Sequence, residues 1–281
     1  MKTLLETLQS GSMYLEKRGV EDARLNMEHL TARVLGCSRI DLYLSYDRPL
    51  EEKELSPLRE FIKRRGSREP LQYILGDVEF MGKKFFCDRR ALIPRPETEE
   101  LIGVLAARYE SIEKPKHICD VGCGSGVIGI SLAYLWKDSL INMIDLSEDA
   151  LQLSRENIKL SGISLDRFNV LKSNLLSDAH ENFDLIVSNL PYIESKDIEL
   201  LDEELKHEPK TALDGGSDGI TLIKELISQS KSLLLEGGMI ALEIGDGQAE
   251  TVSDVLLEEG YKKIESLKDI SQIDRFVVAT L

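Results

Sequence analysis

Hydrophobic positions early in the chain fall at three-to-four spacing with charges between them: Leu4, Leu5, Leu8, then Leu25, Leu30, Val34 and Leu35. That is the helix period, and it predicts a helical domain over residues 1–75. Gly36 predicts a helix stop, and Pro57 predicts the first turn of a further helix running through Phe61. The period then changes. Val78-Glu79-Phe80 and Lys83-Lys84-Phe85-Phe86, with Met81-Gly82 between them, predict a short hairpin. Leu92-Ile93-Pro94-Arg95-Pro96 follows, held out of helix by its two prolines, so 76–96 predicts a hairpin and Pro-rich linker.

From residue 97 apolar runs alternate with amphipathic stretches. The runs His117–Val121, Leu140–Asp145, Phe168–Lys172, Phe183–Ser188, Met239–Ile244 and Arg275–Thr280 predict strands. Glu99–Arg108, Ile128–Leu135, Ala150–Leu160, Ile220–Leu235 and Ala249–Glu259 predict helices. Strands that are apolar on both faces, separated by helices, imply an α/β domain over 97–281 with a doubly wound, mostly parallel sheet.

Composition narrows the field. The chain has 281 residues and a formal net charge of −15, with 42% apolar and 30% charged residues. No apolar run approaches the roughly 18–20 residues of a membrane span, so no membrane partner is expected. The opening MKTLLETLQSGSMYLEKRG breaks into charge too early for a secretory segment, and a cytoplasmic location follows as an expectation. The acidic balance argues against a stable nucleic-acid partner, because phosphate is repelled. Charge is uneven, however. Arg59 to Arg95 holds ten basic and five acidic residues, which is either a solvated face or a docking patch for an acidic partner. Cys37, Cys87, Cys119 and Cys123 form no CxxC pair, and the four histidines are scattered, so neither a metal site nor a disulfide is expected.

The sharpest motif is Asp120-Val121-Gly122-Cys123-Gly124-Ser125-Gly126, directly after the first strand of this domain and before a helix. Glycines there permit a tight turn and close approach of backbone to a ligand. By spacing alone the site is ambiguous, because Gly124, Gly126 and Gly129 satisfy the dinucleotide pattern GxGxxG. Asp145, ending the second strand, would hold a ribose diol in either case. Two features favour S-adenosylmethionine over a nicotinamide dinucleotide. A carboxylate at Asp120 would repel a pyrophosphate but attract a ligand carrying an ammonium and a sulfonium. The turn also comes after more than a hundred residues, so a helical module precedes it.

Asn189-Leu190-Pro191-Tyr192 follows the strand Phe183–Ser188, and so opens onto the crevice that the glycine turn lines. Its chemistry suits a planar NH2 group. The lone pair of an amide or aryl amine is delocalised, and acceptors on its two N–H bonds help it rehybridise and carry developing positive charge. The Asn189 side-chain oxygen and the Leu190 carbonyl can supply both acceptors. Pro191 would stiffen the loop, and Tyr192 would offer a face for stacking.

These motifs together resemble the HemK/PrmC family of peptide chain release factor N5-glutamine methyltransferases. The resemblance rests also on Pro70-Leu71-Gln72-Tyr73-Ile74-Leu75-Gly76, on Leu92-Ile93-Pro94-Arg95-Pro96-Glu97-Thr98-Glu99, on Glu208-Pro209 with Gly215-Gly216, and on Leu242-Glu243-Ile244-Gly245 with Gln248. It implies a seven-stranded S-adenosylmethionine-dependent sheet in which Arg275–Thr280 is the antiparallel addition, behind a helical substrate-binding domain. Carried over by position, Asp120 and Gly122, Cys123, Gly124, Ser125 and Gly126 would wrap the methionine end of the cofactor. Asp145 would bind its ribose, and Asn174 and Leu175 would lie by its adenine. Asn189, Leu190, Pro191 and Tyr192 would hold the target glutamine of the GGQ motif, with Asn189 also near the cofactor. Two positions depart from the family pattern: Leu190 stands where proline is usual, implying some lost rigidity, and Asn174 stands where aspartate is frequent. The tetrad is also similar to that of ribosomal-RNA adenine dimethyltransferases, and a ribosomal protein is a further possible acceptor. The proline-rich stretch, the helical domain and the charge of −15 favour a release factor. Arg95 and Glu97 read either as a local ion pair or as part of site closure.

Overall fold

In the computed structural model, which describes residues 2–281, the helical period of the first stretch becomes five helices. They are α1 (Leu4–Lys17), α2 (Ala23–Leu35), α3 (Arg39–Tyr43), α4 (Glu52–Gly66) and α5 (Leu71–Leu75). Their starts are chemically marked. Thr3 accepts from the Glu6 amide at 3.2 Å while its own amide donates to the Glu6 carboxylate at 2.9 Å, a reciprocal cap for α1. Gly36 ends α2 at φ 65°, as its position predicts. Pro57, in contrast, does not open a helix. The acidic residues Glu51 and Glu54 build the cap, the helix starts five residues earlier at Glu52, and Pro57 lies within α4. Its missing donor is tolerated because the opposing residue, Lys53, is exposed to water. Leu4, Leu8, Leu15, Met27, Leu30, Leu42, Leu50, Leu58 and Ile74 form the core of this unit. Leu25, counted in the helical period, instead faces outward at 37% exposure.

The helical unit spans Met1–Asp77 and takes in a second piece of chain, Asp202–His207. The basic run largely disappears into internal pairs. Arg64 makes a two-pronged contact with Glu69 at 2.7 and 2.8 Å, and Arg59 pairs with Glu52. Arg65, 4% exposed, donates to Asn26 at 2.7 Å and to Glu204 at 2.8 Å, and Arg68 reaches the same Glu204 at 3.2 Å.

The second unit spans Val78–Leu201 and Glu208–Leu281. The hairpin strands β1 (Asp77–Phe80) and β2 (Lys83–Phe86) turn through Met81 and Gly82 at φ 49° and 67°, the left-handed pair that a two-residue hairpin loop demands. Phe80 and Phe85 meet edge-on at 6.0 Å and share a core cluster with Leu101, Ile102 and Leu105 of α6 (Pro96–Arg108). The segment read from sequence as a linker is therefore packed into this unit from residue 78 onward.

The remaining elements are β3 (His117–Val121), α7 (Val127–Leu135), β4 (Leu140–Asp145), α8 (Glu148–Ser161), β5 (Phe168–Lys172), β6 (Phe183–Asn189), α9 (Thr221–Ser230), β7 (Leu234–Glu243), α10 (Ala249–Glu258), β8 (Lys262–Lys268) and β9 (Asp274–Thr280). The seven-stranded sheet has the order β5-β4-β3-β6-β7-β9-β8. β5, β4, β3, β6 and β7 pair in parallel, while β9 runs antiparallel to both β7 and β8, so the antiparallel strand is the one expected. β8 has no counterpart among the predicted strands, because an edge strand with one solvated face leaves KKIESLK without an apolar run. The predicted helix Ile220–Leu235 stops at Ser230, and Leu234 already belongs to β7; the Gly237-Gly238 pair hides this early start.

Strand side chains alternate between two cores. Ile118, Ile141, Met143, Leu185 and Val187 face α6, α7 and α8, whereas Cys119, Ile144, Ile186 and Ile240 face α9 and α10. β3 pairs with β4 on one side and β6 on the other, which is where connections switch sides and a crevice opens at the strands' carboxyl ends.

Candidate functional site

The glycine turn leaves β3 at that crevice. Gly122, Gly124 and Gly126 sit at φ 70°, 53° and 84°. The amides of Gly122 and Cys123 both donate to the Ile144 carbonyl, at 2.8 and 2.9 Å, which stitches the turn to β4. The Gly124 amide donates to Asp145 at 2.9 Å, and the Ser147 amide to its other oxygen at 2.8 Å. Asp145 is held up from the ordinary carboxylate range by burial, partly offset by those amides.

A cavity of about 370 Å³ lies against the turn, within the usual size of small-molecule sites. Of the residues singled out by sequence, Gly122, Cys123, Gly124, Ser125, Asp145, Asn174, Leu175, Asn189, Leu190 and Pro191 line it. Asp120, Gly126 and Tyr192 do not. Gly126 lies behind the turn, where a Cβ would strike Met143. Leu175 holds φ 50°, a costly conformation for a leucine, at the cavity wall. Asp120 lies fully buried beneath the turn. One of its oxygens accepts from the Gly129 amide in the first turn of α7 at 2.8 Å, and the other has no partner among the described residues. Burial pushes this carboxyl up to about 7, and nearby Asp145 adds to the rise.

Electrostatics decide which nucleotide-like ligand suits the cavity. A pyrophosphate needs free helix-end amides and cations, yet an internal carboxylate already caps α7. Both lining arginines are also engaged. Arg90 pairs with Asp88 and Glu156 at 2.7 Å, and Arg95 pairs with Glu208. The partner of Arg95 is thus Glu208 and not Glu97. Glu208 also accepts from the Ile93 amide at 2.9 Å, joining the 91–95 segment to the stretch Pro209–Ala212 as one cavity wall. Acidic Asp145 at the wall, Asp120 buried beneath the turn and the pairing of both lining arginines fit a ligand with a diol and a positively charged end, as S-adenosylmethionine has.

The tetrad begins where β6 ends, beside the turn. Leu190 packs on Gly122 so closely that a Cβ there would lie 2.9 Å from its Cδ2. The loop is tied down from behind. Gln248 donates to the Tyr192 carbonyl at 2.9 Å and accepts from the Gly245 amide at 2.8 Å. Gly215 donates to the Ile193 carbonyl at 2.8 Å, in a space too narrow for a side chain. These bonds brace the loop despite leucine standing at position 190. The Asn189 amide nitrogen donates to the Thr98 hydroxyl at 3.0 Å, and that hydroxyl donates to Glu243 at 2.7 Å. Neither Thr98 nor Glu243, nor Glu208 or Gln248, is assigned a role by spacing, since each acts on a group far away in sequence.

Comparison with known proteins gives the lineage. The family described as PrmC N-terminal domain matches residues 6–76, and the methyltransferase small domain matches residues 98–220. A release factor glutamine methyltransferase of Geobacter sulfurreducens is 37% identical over 98% of this chain and 95% of its own length. That of Clostridium botulinum is 37% identical over 98% of both chains. The chain belongs to the release factor glutamine methyltransferase family. Solved structures share the fold of this chain at far lower identity. A methyltransferase from Pyrococcus furiosus aligns with TM-score 0.53 at 15% identity, covering 72% of this chain and 90% of that one. A 16S rRNA N2 G1207 methyltransferase from Thermus thermophilus aligns with TM-score 0.53 at 14% identity, covering 73% of this chain and 49% of that one.

Proposed function

We infer that this chain methylates the side-chain amide nitrogen of a glutamine in a peptide chain release factor, that of the GGQ motif, using S-adenosylmethionine. When bound, S-adenosylmethionine supplies a methyl group activated by its sulfonium. The chain's own residues do the rest by position. Gly122 to Gly126 give the ligand's amino-acid end close access to backbone, with the Asp120 carboxylate beneath them, and Asp145 accepts from its ribose hydroxyls. Asn174 and Leu175 flank the adenine. The Asn189 oxygen and the Leu190 carbonyl accept the two N–H bonds of the glutamine amide, which frees its lone pair from conjugation and stabilises charge on nitrogen. Pro191 lines the cavity that receives the flat amide, and Tyr192, outside the lining, anchors the loop through its carbonyl. No side chain has to remove a proton first, because a protonated amide nitrogen is acidic and loses its extra proton to water.

The observation that carries this reading is the anchoring of Asn189. Its nitrogen donates to Thr98, so the oxygen is the amide atom left to accept from a ligand in the cavity that Asn189 lines. The helical unit is assigned to holding the body of the release factor. Its arginine-rich run is not assigned that role, since Arg59, Arg64, Arg65 and Arg68 are paired internally. Among the described residues no helix is long and apolar enough to cross a membrane. We place the enzyme in the cytoplasm with its substrate.

The test is incubation with methyl-labelled S-adenosylmethionine and, separately, release factor, ribosomal proteins, rRNA and DNA. Label is expected in release factor alone, and lost when its GGQ glutamine is replaced by alanine. Label in nucleic acid only would overturn the assignment. Asn189→Ala is expected to abolish transfer while S-adenosylmethionine still binds in calorimetry.

A further inference from the structure

Asn189 can serve a substrate amide only one way round. An asparagine amide presents an accepting oxygen and a donating nitrogen, and a half-turn exchanges them with almost no change in shape. With the nitrogen toward the substrate NH2, two donors would oppose each other. Something in the chain must therefore hold the amide in one orientation.

The Asn189 nitrogen donates to Thr98 Oγ1, and Thr98 Oγ1 donates to Glu243 Oε2. Thr98 is 2% exposed and Glu243 1%. They come from the first turn of α6 and the last residue of β7, while Asn189 ends β6, where it lies beside Glu243 in the parallel register. A threonine hydroxyl has a single proton. With that proton given to a carboxylate, the hydroxyl offers Asn189 only lone pairs, and only the amide nitrogen can meet them.

We propose that Glu243 is a positioning residue for the methyl transfer, fixing through Thr98 the orientation of the Asn189 amide so that its oxygen faces the substrate. The proposal rests on the reading that Asn189 receives the glutamine amide. It makes the carboxylate form of Glu243 the working form. Burial pushes this carboxyl up to about 7, and Glu97 in α6 adds to the rise. The bond from Thr98 and the charge of Arg275 on β9 oppose it, and Tyr192 is the other titratable group close to the carboxyl. Arg275 is itself turned to the Ile244 carbonyl at 3.1 Å and toward Asp269. A protonated Glu243 can donate to Thr98, which frees the hydroxyl proton for Asn189 and favours the flipped amide. Turnover therefore falls as pH drops through about 7.

Four variants of the full chain decide it: Glu243→Gln, Thr98→Val, Thr98→Ser and Asn189→Ala. For each, kcat and KM toward release factor, affinity for S-adenosylmethionine by calorimetry, and thermal unfolding are measured. Glu243→Gln and Thr98→Val are expected to lower kcat by about 100-fold, the scale for losing one charge-stabilising contact, with both affinities within about threefold of the parent. Thr98→Ser keeps the hydroxyl and should restore most of kcat. The fall in kcat below about pH 7 should vanish in Glu243→Gln. Parent-like kcat in Glu243→Gln or Thr98→Val overturns the proposal. So does a loss of kcat that merely tracks lost ligand affinity and lowered unfolding temperature. If Glu243→Gln does not fold, the near-isosteric Thr98→Val and its serine counterpart decide alone. An active Asn189→Ala sinks the underlying reading, whereas an inactive one beside an active Thr98→Val sinks only the relay.

Discussion

Gly122 joins the two motifs at the level of single atoms. Its φ of 70° disfavours any side chain, and Leu190 occupies the space that a Cβ would need. Gly122→Ala is expected to cost about 1–2 kcal/mol from the left-handed backbone alone. Displacement of Leu190 should further weaken S-adenosylmethionine binding and lower kcat; urea unfolding, calorimetry and a turnover assay measure the three losses. The glycines, Asp145 and Asn189 were legible in sequence because local chemistry marks them: positive φ, a strand end, a tight turn. Thr98 and Glu243 were not assigned a role, because 145 residues separate them and only a shared hydrogen bond gives them a common purpose. Glu208 is hidden for the same reason, its partners lying at Ile93 and Arg95. Arg95 was instead read beside its sequence neighbour Glu97.

Among elements, those with an apolar face on the core were found from the pattern, and those without one were missed or misplaced. β3 and β4 match their predicted spans because buried parallel strands read as largely apolar runs, and β5, a half-buried edge strand, still carries enough apolar residues to match its own. β8, exposed at the sheet edge, carries no such run. The basic stretch shows the opposite failure, since it is conspicuous in sequence but mostly neutralised in space. Arg65 on α4 is structural, bonded to Asn26 and Glu204 while nearly excluded from water. Arg65→Ala is expected to destabilise the helical unit by about 2–3 kcal/mol, the range for buried hydrogen bonds to a charged group. Urea unfolding measures that loss, and S-adenosylmethionine affinity should stay unchanged because the cavity is lined only by residues of the other unit.

For the molecule as a whole, pH acts through buried carboxyls, most strongly two of them. Asp120 and Glu243 are both pushed up to about 7 by burial, above the value either has in an unfolded chain. Between about pH 4 and 7 the native state keeps protons that the unfolded chain releases, so their contribution to stability falls as pH rises through that window. Denaturant midpoints across this range should show the decline, and Asp120→Asn combined with Glu243→Gln should flatten it. The net charge of −15 first weighed only against nucleic acid. At the cavity the acidic character becomes specific: Asp145 lines the wall, and Asp120 lies buried beneath the glycine turn. The lining arginines Arg90 and Arg95 are already paired, which leaves a pyrophosphate without a free cation among the described lining residues.

The sequence by itself determined the two-part organisation, the doubly wound sheet, the glycine turn and the tetrad, since each depends on neighbours a few residues apart. Which arginines are paired, which wall closes the cavity, and which way the Asn189 amide turns were decided only by tertiary structure. Those properties rest on hydrogen bonds and ion pairs between residues that folding alone brings within 3 Å.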